Sequence, residues 1–286
     1  MLACLPAQQV PVFRGGVDLV NIGATVIDRK GNLVADLSAD DFEIVEDGRP
    51  QTIRFFSSGA ATDQVRTHLG LLLDVSESMG DDIAFTKTAA IKFLNSLLEA
   101  VDITMIDFDT EVRTTRYSQE DFARLIERIR LQKAGGFTAL YEAIGVYLTG
   151  ASGQDGRKVM LLYTDGGDTR SSMGWPDLYD LLKASDATIY VIGELEHQPS
   201  LSRNDQQMRL RQIAEATGGQ AFFPVSVKQL DEMYGKVLAE VRAQYTIGYQ
   251  STNDAADGRW RKVEIKVKRK DLRVRARQGY YARFPK

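Results

Sequence analysis

The chain is expected to be an α/β protein in which a doubly wound, mostly parallel sheet is inserted into a small, discontinuous β-sandwich. Three observations predict this. Two apolar runs, Leu69 to Leu73 and Val159 to Tyr163, break abruptly into polar residues that include Asp74 and Asp165. Continuous apolar strands suit the centre of a sheet covered on both faces. The middle of the chain alternates strand-like and helix-like patterns, which implies right-handed βαβ units. Both ends carry alternating, half-buried strand patterns separated by turn residues.

In chain order, residues 10–60 supply the first strands of the sandwich. Val17 to Asp28 alternates apolar with small or polar residues, Lys30-Gly31-Asn32 makes a turn, and Phe42 to Glu46 is a second strand. Asp47-Gly48 is a hairpin turn and Gln51 to Phe56 its return. Strands this short do not close a core alone. Residues 244–286 offer the missing partners. Gln244 to Gln250, Trp260 to Lys268 and Leu272 to Arg277 alternate, with Val263, Ile265, Val267, Leu272 and Val274 inward. Two separate β modules would each carry unpaired edges and half a core, so one sandwich shared by both ends is the favoured reading. Lys262, Lys266, Lys268, Arg273, Arg275 and Arg277 fall on the outward positions and read as a solvated face. No aromatics interleave with them, as single-strand readers of nucleic acid require.

Residues 66–243 form the central domain. Between Gly80 and Glu99, Ala90, Leu94, Leu97 and Leu98 have helical spacing, and Ile103 to Asp109 is a strand. Ser118 to Asp121 resembles a capping box ahead of a helix with Phe122, Leu125, Ile126 and Ile129 on one face. A helix runs from Thr138 through about Leu148, Val159 to Thr164 is a strand, Trp175 to Ala184 a helix and Thr188 to Ile192 a strand. Gln206 to Thr217 and Ser226 to Arg242 are the last helices, the second opened by Ser226 and Gln229.

Asp74, Ser76 and Ser78 sit just past a strand's carboxyl end, where ligands bind in open parallel sheets. They supply only oxygen, so a cation held there would be hard, Mg²⁺, Mn²⁺ or Ca²⁺ rather than Zn²⁺. One loop does not complete an octahedron. Further oxygens are available from Gly135-Gly-Phe-Thr138 and from Asp165-Gly-Gly-Asp168. The plainer reading of the same residues is that Ser76 and Ser78 cap a helix and Asp165 ends a strand. Glu77, Asp81, Asp82 and Asp168 read as solvated charges beside the site, and Asp107 and Asp109 as loop charges. Phe137 is expected either to cover the site or to pack on the adjacent helix.

Asp74-x-Ser76-x-Ser78, Thr138 within Gly-Gly-Phe-Thr-Ala-Leu-Tyr, and Thr164-Asp165-Gly166 agree in order and spacing. Together they resemble the von Willebrand factor type A (VWA) domain with all five residues of its metal-ion-dependent adhesion site. The flanks, Leu37 to Gly48 and Arg275 to Tyr281, resemble an exported family of VWA-related proteins known mainly from acidobacteria. The resemblance implies a Rossmann-like VWA fold and a metal site made of Asp74, Ser76, Ser78, Thr138 and Asp165. It implies that the three hydroxyls ligate the ion directly and that the two carboxylates act mainly through water or switch between direct and water-mediated contact, with Mg²⁺ the favoured cation. Neutral oxygens leave much of the ion's charge uncompensated, so an Asp or Glu of a partner protein is the implied remaining ligand.

Composition narrows the function classes. A net charge of −3 and a pI of about 5.6 argue against a nucleic-acid reader. Mean hydropathy is −0.25, and no apolar run approaches the ~20 residues that span a bilayer. The single cysteine, Cys4, excludes an internal disulfide framework and a cysteine zinc site. His68 and His197 lie in no H-E-x-x-H pattern, and G-x-S-x-G, Walker A and G-x-G-x-x-G are absent. An aspartyl-phosphate phosphotransferase needs a second carboxylate two residues after its nucleophile, where this chain has Ser76, so a non-enzyme is expected. Residues 1–8, with Ala7 before Gln8-Gln9, read as the tail of a signal peptide, which points to export to the periplasm, cell envelope or medium. A cytoplasmic start is the alternative. The sequence therefore favours a metal-dependent adhesion or assembly module. A metal-dependent hydrolase or phosphotransferase, and a structural envelope protein with a purely stabilising metal, stand as alternatives. Oligomeric state is not written in the sequence.

Overall fold

The computed structural model describes residues 19–58, 66–96, 100–196 and 198–282. The first described strands are β1 (Leu19–Asp28), β2 (Phe42–Glu46), β3 (Arg49–Gln51) and β4 (Ile53–Ser57). The central part follows as β5 (Thr67–Asp74), α1 (Ile83–Ser96), β6 (Ala100–Phe108), β7 (Val112–Ser118), α2 (Phe122–Leu131), α3 (Leu140–Ala151), β8 (Arg157–Thr164), α4 (Trp175–Ala184), β9 (Thr188–Gly193), α5 (Ser200–Ala216), β10 (Ala221–Phe222) and α6 (Val227–Ala243). The chain closes with β11 (Tyr245–Gln250), β12 (Trp260–Val267), β13 (Leu272–Ala276) and β14 (Gly279–Tyr281).

The central sheet has the order β10-β9-β8-β5-β6-β7, parallel throughout except for the antiparallel edge strand β7. Strand β5 is buried from His68 to Asp74 because helices cover both of its faces. Leu69, Leu71 and Leu73 pack with α1, α2 and α6, whereas Leu72 faces α3, α4 and α5. Gly70 shares that second face, and a Cβ there would lie 2.2 Å from the ring of Tyr147 on α3. Close approach of helix to strand therefore requires glycine. Gly70→Ala is expected to destabilise the chain by about 1–3 kcal/mol through overpacking, read as a shift in the urea midpoint. An unchanged midpoint would show that Tyr147 moves aside freely.

The two ends of the chain interleave in two four-stranded sheets. One has the order β13-β1-β11-β4 and the other β14-β12-β2-β3. Strand β1 lies antiparallel between β11 and β13, and β2 pairs antiparallel with β12. Their shared core joins Ile22, Ala24 and Val26 to Phe42, Ile44, Tyr245, Ile247 and Val263, with Ile265, Val267, Leu272 and Val274 packed partly buried against it. A buried carboxylate links the layers. Glu46 accepts from the hydroxyls of Tyr249 (2.7 Å), Tyr280 (2.9 Å) and Ser251.

Several elements differ from the sequence reading. Strand β7 carries no strand pattern in the sequence, because Val112–Ser118 is an edge strand with only Tyr117 buried and lacks an apolar face. Helix α5 begins at Ser200 rather than Gln206, since its buried residues, Leu210, Ile213 and Ala214, all lie in its second half. The two-residue β10 and three-residue β14 are too short to carry a pattern. Leu97, Leu98, His197 and residues 1–18 lie outside the described residues.

The outward cations of the carboxyl-terminal strands divide into two groups. Lys262 and Lys266 are solvated as expected. Arg275 and Arg277 are not: they point away from the sandwich core but into the central domain. Arg275 binds Glu240 of α6 and Gln220, and Arg277 donates to Ser185 O (3.1 Å) and Asn21 O (2.7 Å). Arg157, at the start of β8, donates to Val241 O in the last turn of α6 (2.9 Å) and to Gln244 O just before β11 (3.1 Å). Lys183 of α4 sits among the rings of Tyr179, Trp260 and Tyr281. These contacts fix the sandwich to the amino ends of the central strands, opposite Asp74 and Asp165. No described helix is long and apolar enough to cross a membrane.

Candidate metal centre

Asp74 ends β5 and is fully buried. The chain then makes a 3-10 turn over Glu77–Met79, preceded by Ser76, whose side chain does not cap the turn. Instead Ser76 Oγ donates to Asp74 Oδ1 at 2.6 Å, its amide donates to the same oxygen at 3.0 Å, and Ser76 Oγ lies 3.2 Å from Ser78 Oγ. Thr164, at the end of β8, donates its hydroxyl to Asp74 Oδ2 at 2.6 Å. The capping alternative for Ser76 therefore fails, and adjacent strand ends share one polar cluster.

The loop carrying Thr138 is tied to the first loop through its backbone. Gly135 N donates to Val75 O (2.9 Å) and Glu77 N to Gly136 O (3.0 Å). Gly136 has φ +81, the left-handed region that glycine tolerates, and a Cβ there would meet Thr110 Oγ1 at 2.6 Å. Thr138 N donates to Thr169 Oγ1 (3.0 Å), while Thr138 O accepts from the amides of Thr169 and Arg170. Its hydroxyl makes no hydrogen bond to a described residue. Asp165 is buried; its Oδ1 accepts from Gly167 N (3.1 Å) and its Oδ2 from Gln198 Nε2 (2.8 Å). Gln198 carries no signal in the sequence, because nothing in a lone Gln after β9 announces a contact made across a loop.

Three neighbouring carboxylates have roles other than those expected. Asp168 is not merely solvated: its Oδ1 accepts from Tyr141 N (3.2 Å) and Ser171 Oγ (2.6 Å), capping the first turn of α3. Asp107 lies buried on β6, paired with Arg113 (2.6 Å) and with Arg128. Asp109 is held by both terminal nitrogens of Arg113 (3.0 and 2.9 Å), and its carbonyl accepts from Ala139 N (2.8 Å), which fixes the start of α3. Burial would raise the Asp109 carboxyl, but its bonds to Arg113 outweigh this and hold it low. Phe137 is 63% exposed rather than packed away on the adjacent helix. His68 belongs to the other end of the sheet, where it contacts Asp102 (2.9 Å) and the carbonyl of Asp155 (3.1 Å).

Burial, followed by the nearby charge of Asp165, pushes the Asp74 carboxyl up to about 7. Two buried carboxylates repel each other unless a proton or a cation lies between them. Asp74, Ser76, Thr138 and Asp165 are buried while Ser78 is exposed, so the cluster has a solvent side. Hard oxygens, excess negative charge and one open side fit a divalent cation such as Mg²⁺.

The central part is thus a doubly wound, Rossmann-like α/β domain with hydroxyls and carboxylates at neighbouring strand ends. The sequence profile of the von Willebrand factor type A domain matches residues 68–236, and the chain belongs to that family. Among solved structures, it resembles a von Willebrand factor type A protein from Catenulispora acidiphila, with 14% identity and a TM-score of 0.53 over 96% of this chain and 76% of that one. It also resembles the vWF domain of a type V pili tip protein from Porphyromonas gingivalis (13% identity, TM-score 0.49, 62% of this chain and 96% of that one). An aerotolerance-related membrane protein from Bacteroides fragilis is similar at 18% identity and a TM-score of 0.47, over 61% of this chain and 98% of that one. At 14% identity the likeness to the Catenulispora acidiphila protein is one of fold. No curated protein sequence matches the chain.

Proposed function

We propose that this protein is a metal-dependent protein-binding module, used in adhesion or assembly, that captures an acidic side chain of a partner through a divalent cation. Domains of its family act as protein-interaction modules. The carrying observation is the buried Asp74 carboxylate, which accepts from the hydroxyls of Ser76 and Thr164 and is pushed up to about 7 by burial and the charge of Asp165. Ser76, Ser78 and Thr138 would ligate the cation, most favourably Mg²⁺, and Asp74 and Asp165 would balance its charge. When bound, the cation supplies an electrophilic position for a partner's Asp or Glu. The chain's own residues do the positioning: Thr164 and Ser76 orient Asp74, Gln198 orients Asp165, and Thr169 fixes the Thr138 loop. Ligation rather than turnover is the proposed chemistry. Export, and a division into a central domain at 66–243 with a sandwich built from 10–60 and 244–286, belong to the same proposal.

Calorimetric titration of the full chain with MgCl₂ and MnCl₂ tests it. Saturable uptake is expected, weakened roughly tenfold or more by Ser78→Ala, an exposed position whose replacement leaves the core intact. No uptake of Mg²⁺, Mn²⁺ or Ca²⁺ by the folded wild type would overturn the proposal.

A further inference from the structure

We infer that Phe137 is the specificity contact of this site, and that the partner's acidic residue stands beside an apolar side chain. The inference rests on the metal-dependent reading above. Phe137 directly precedes Thr138, and its side chain is 63% exposed. An exposed aromatic on a mobile tip is unremarkable, but this one is mounted on a fixed loop. Its amide donates to Thr110 Oγ1 (2.9 Å), and the residues on either side are held by Glu77 N to Gly136 O (3.0 Å) and Thr138 N to Thr169 Oγ1 (3.0 Å). Because the loop is already ordered, a partner that covers the ring gains apolar contact without an ordering cost in the backbone. Rigid, solvent-facing aromatics at the centre of a contact are typical energetic anchors.

The charges on this side are mixed: Glu77 and Asp81 are exposed, Glu111 lies 3.7 Å from Arg113, and Lys133 and Arg170 are exposed on the Thr138 loop and beside it. The apolar ring rather than net charge therefore sets the preference. A single Asp or Glu flanked by Leu, Ile, Val or Phe meets the cation and the ring together.

The test uses the full chain with MnCl₂ and three labelled nonapeptides followed by fluorescence anisotropy. One carries a central Glu between Leu and Phe, the second a Glu between Ser and Gly, and the third a Gln between Leu and Phe. The first is expected to bind roughly tenfold or more tighter than either of the others. In Phe137→Ser that advantage over the Ser/Gly peptide is expected to fall below about threefold, with Mn²⁺ uptake and melting temperature unchanged. Equal affinities for the first two peptides, equal affinities for the Glu and Gln peptides, a preference that survives Phe137→Ser, or no peptide binding by a chain that takes up Mn²⁺ would each overturn this inference alone. Absence of Mn²⁺ uptake by the wild type would instead overturn the metal-dependent reading on which it rests.

Discussion

The metal-free chain is expected to lose stability as pH rises from about 5 to 8, and Mn²⁺ is expected to raise its melting temperature more at the upper end of that range than at the lower. The cause is Asp74, whose carboxyl burial and the Asp165 charge lift from 3.8 to about 7. Between those two values the unfolded chain has released this proton while the folded chain retains it. Unfolding therefore releases a proton, and each unit of pH in that window costs up to about 1.4 kcal/mol. The contribution is fully present below the unfolded value and is lost as pH rises through the folded one, for a total on the order of 4 kcal/mol. A divalent cation competes with the same proton, so its affinity should weaken as pH falls. Scanning calorimetry from about pH 5 to 8 on the wild type and Asp74→Asn reads this directly. The variant should show a flatter profile and a much smaller response to Mn²⁺; parallel profiles would remove Asp74 as the origin.

Much of the architecture is legible in the residues because it rests on local patterns. Helix α4 has the limits that its apolar spacing predicts, and β5 and β8 lie within a few residues of their apolar runs. The places of Asp74 and Asp165 at the ends of β5 and β8 are legible for the same reason, since each follows a continuous apolar run. What the sequence hides are contacts made at a distance. Alternation in β13 separates Arg273 and Arg275 from Leu272 and Val274, but it says nothing about what covers the outer face, and Arg275 turned out to meet α6. Asp168 looks like a loop charge because its partner, the first turn of α3, lies 27 residues away. Gln198 is silent for the same reason. Asp107 reads as part of a strand's polar end, yet two arginines from different elements bury it.

Arg275→Ala is expected to destabilise the chain by about 3–5 kcal/mol, the loss typical of breaking a buried ion pair from one side. Its partner, Glu240, has a side chain only 10% exposed, against 24% for Arg275. Burial raises the Glu240 carboxyl, and Arg275 is the largest of the groups that counter this. Without the guanidinium, the carboxylate must ionise without compensation or take up a proton, and Gln220 also loses a donor. Lys262→Ala on the same sandwich, where an exposed lysine meets an exposed Glu264, should leave the urea midpoint nearly unchanged. Glu240→Gln should recover part of the loss when combined with Arg275→Ala, because the neutral amide needs no countercharge. A loss below about 1 kcal/mol for Arg275→Ala would mean that the pair is solvated in solution. A strong non-additivity of the two changes would instead assign the coupling to this contact, through which α6, the last helix of the central domain, is held against β13 of the sandwich.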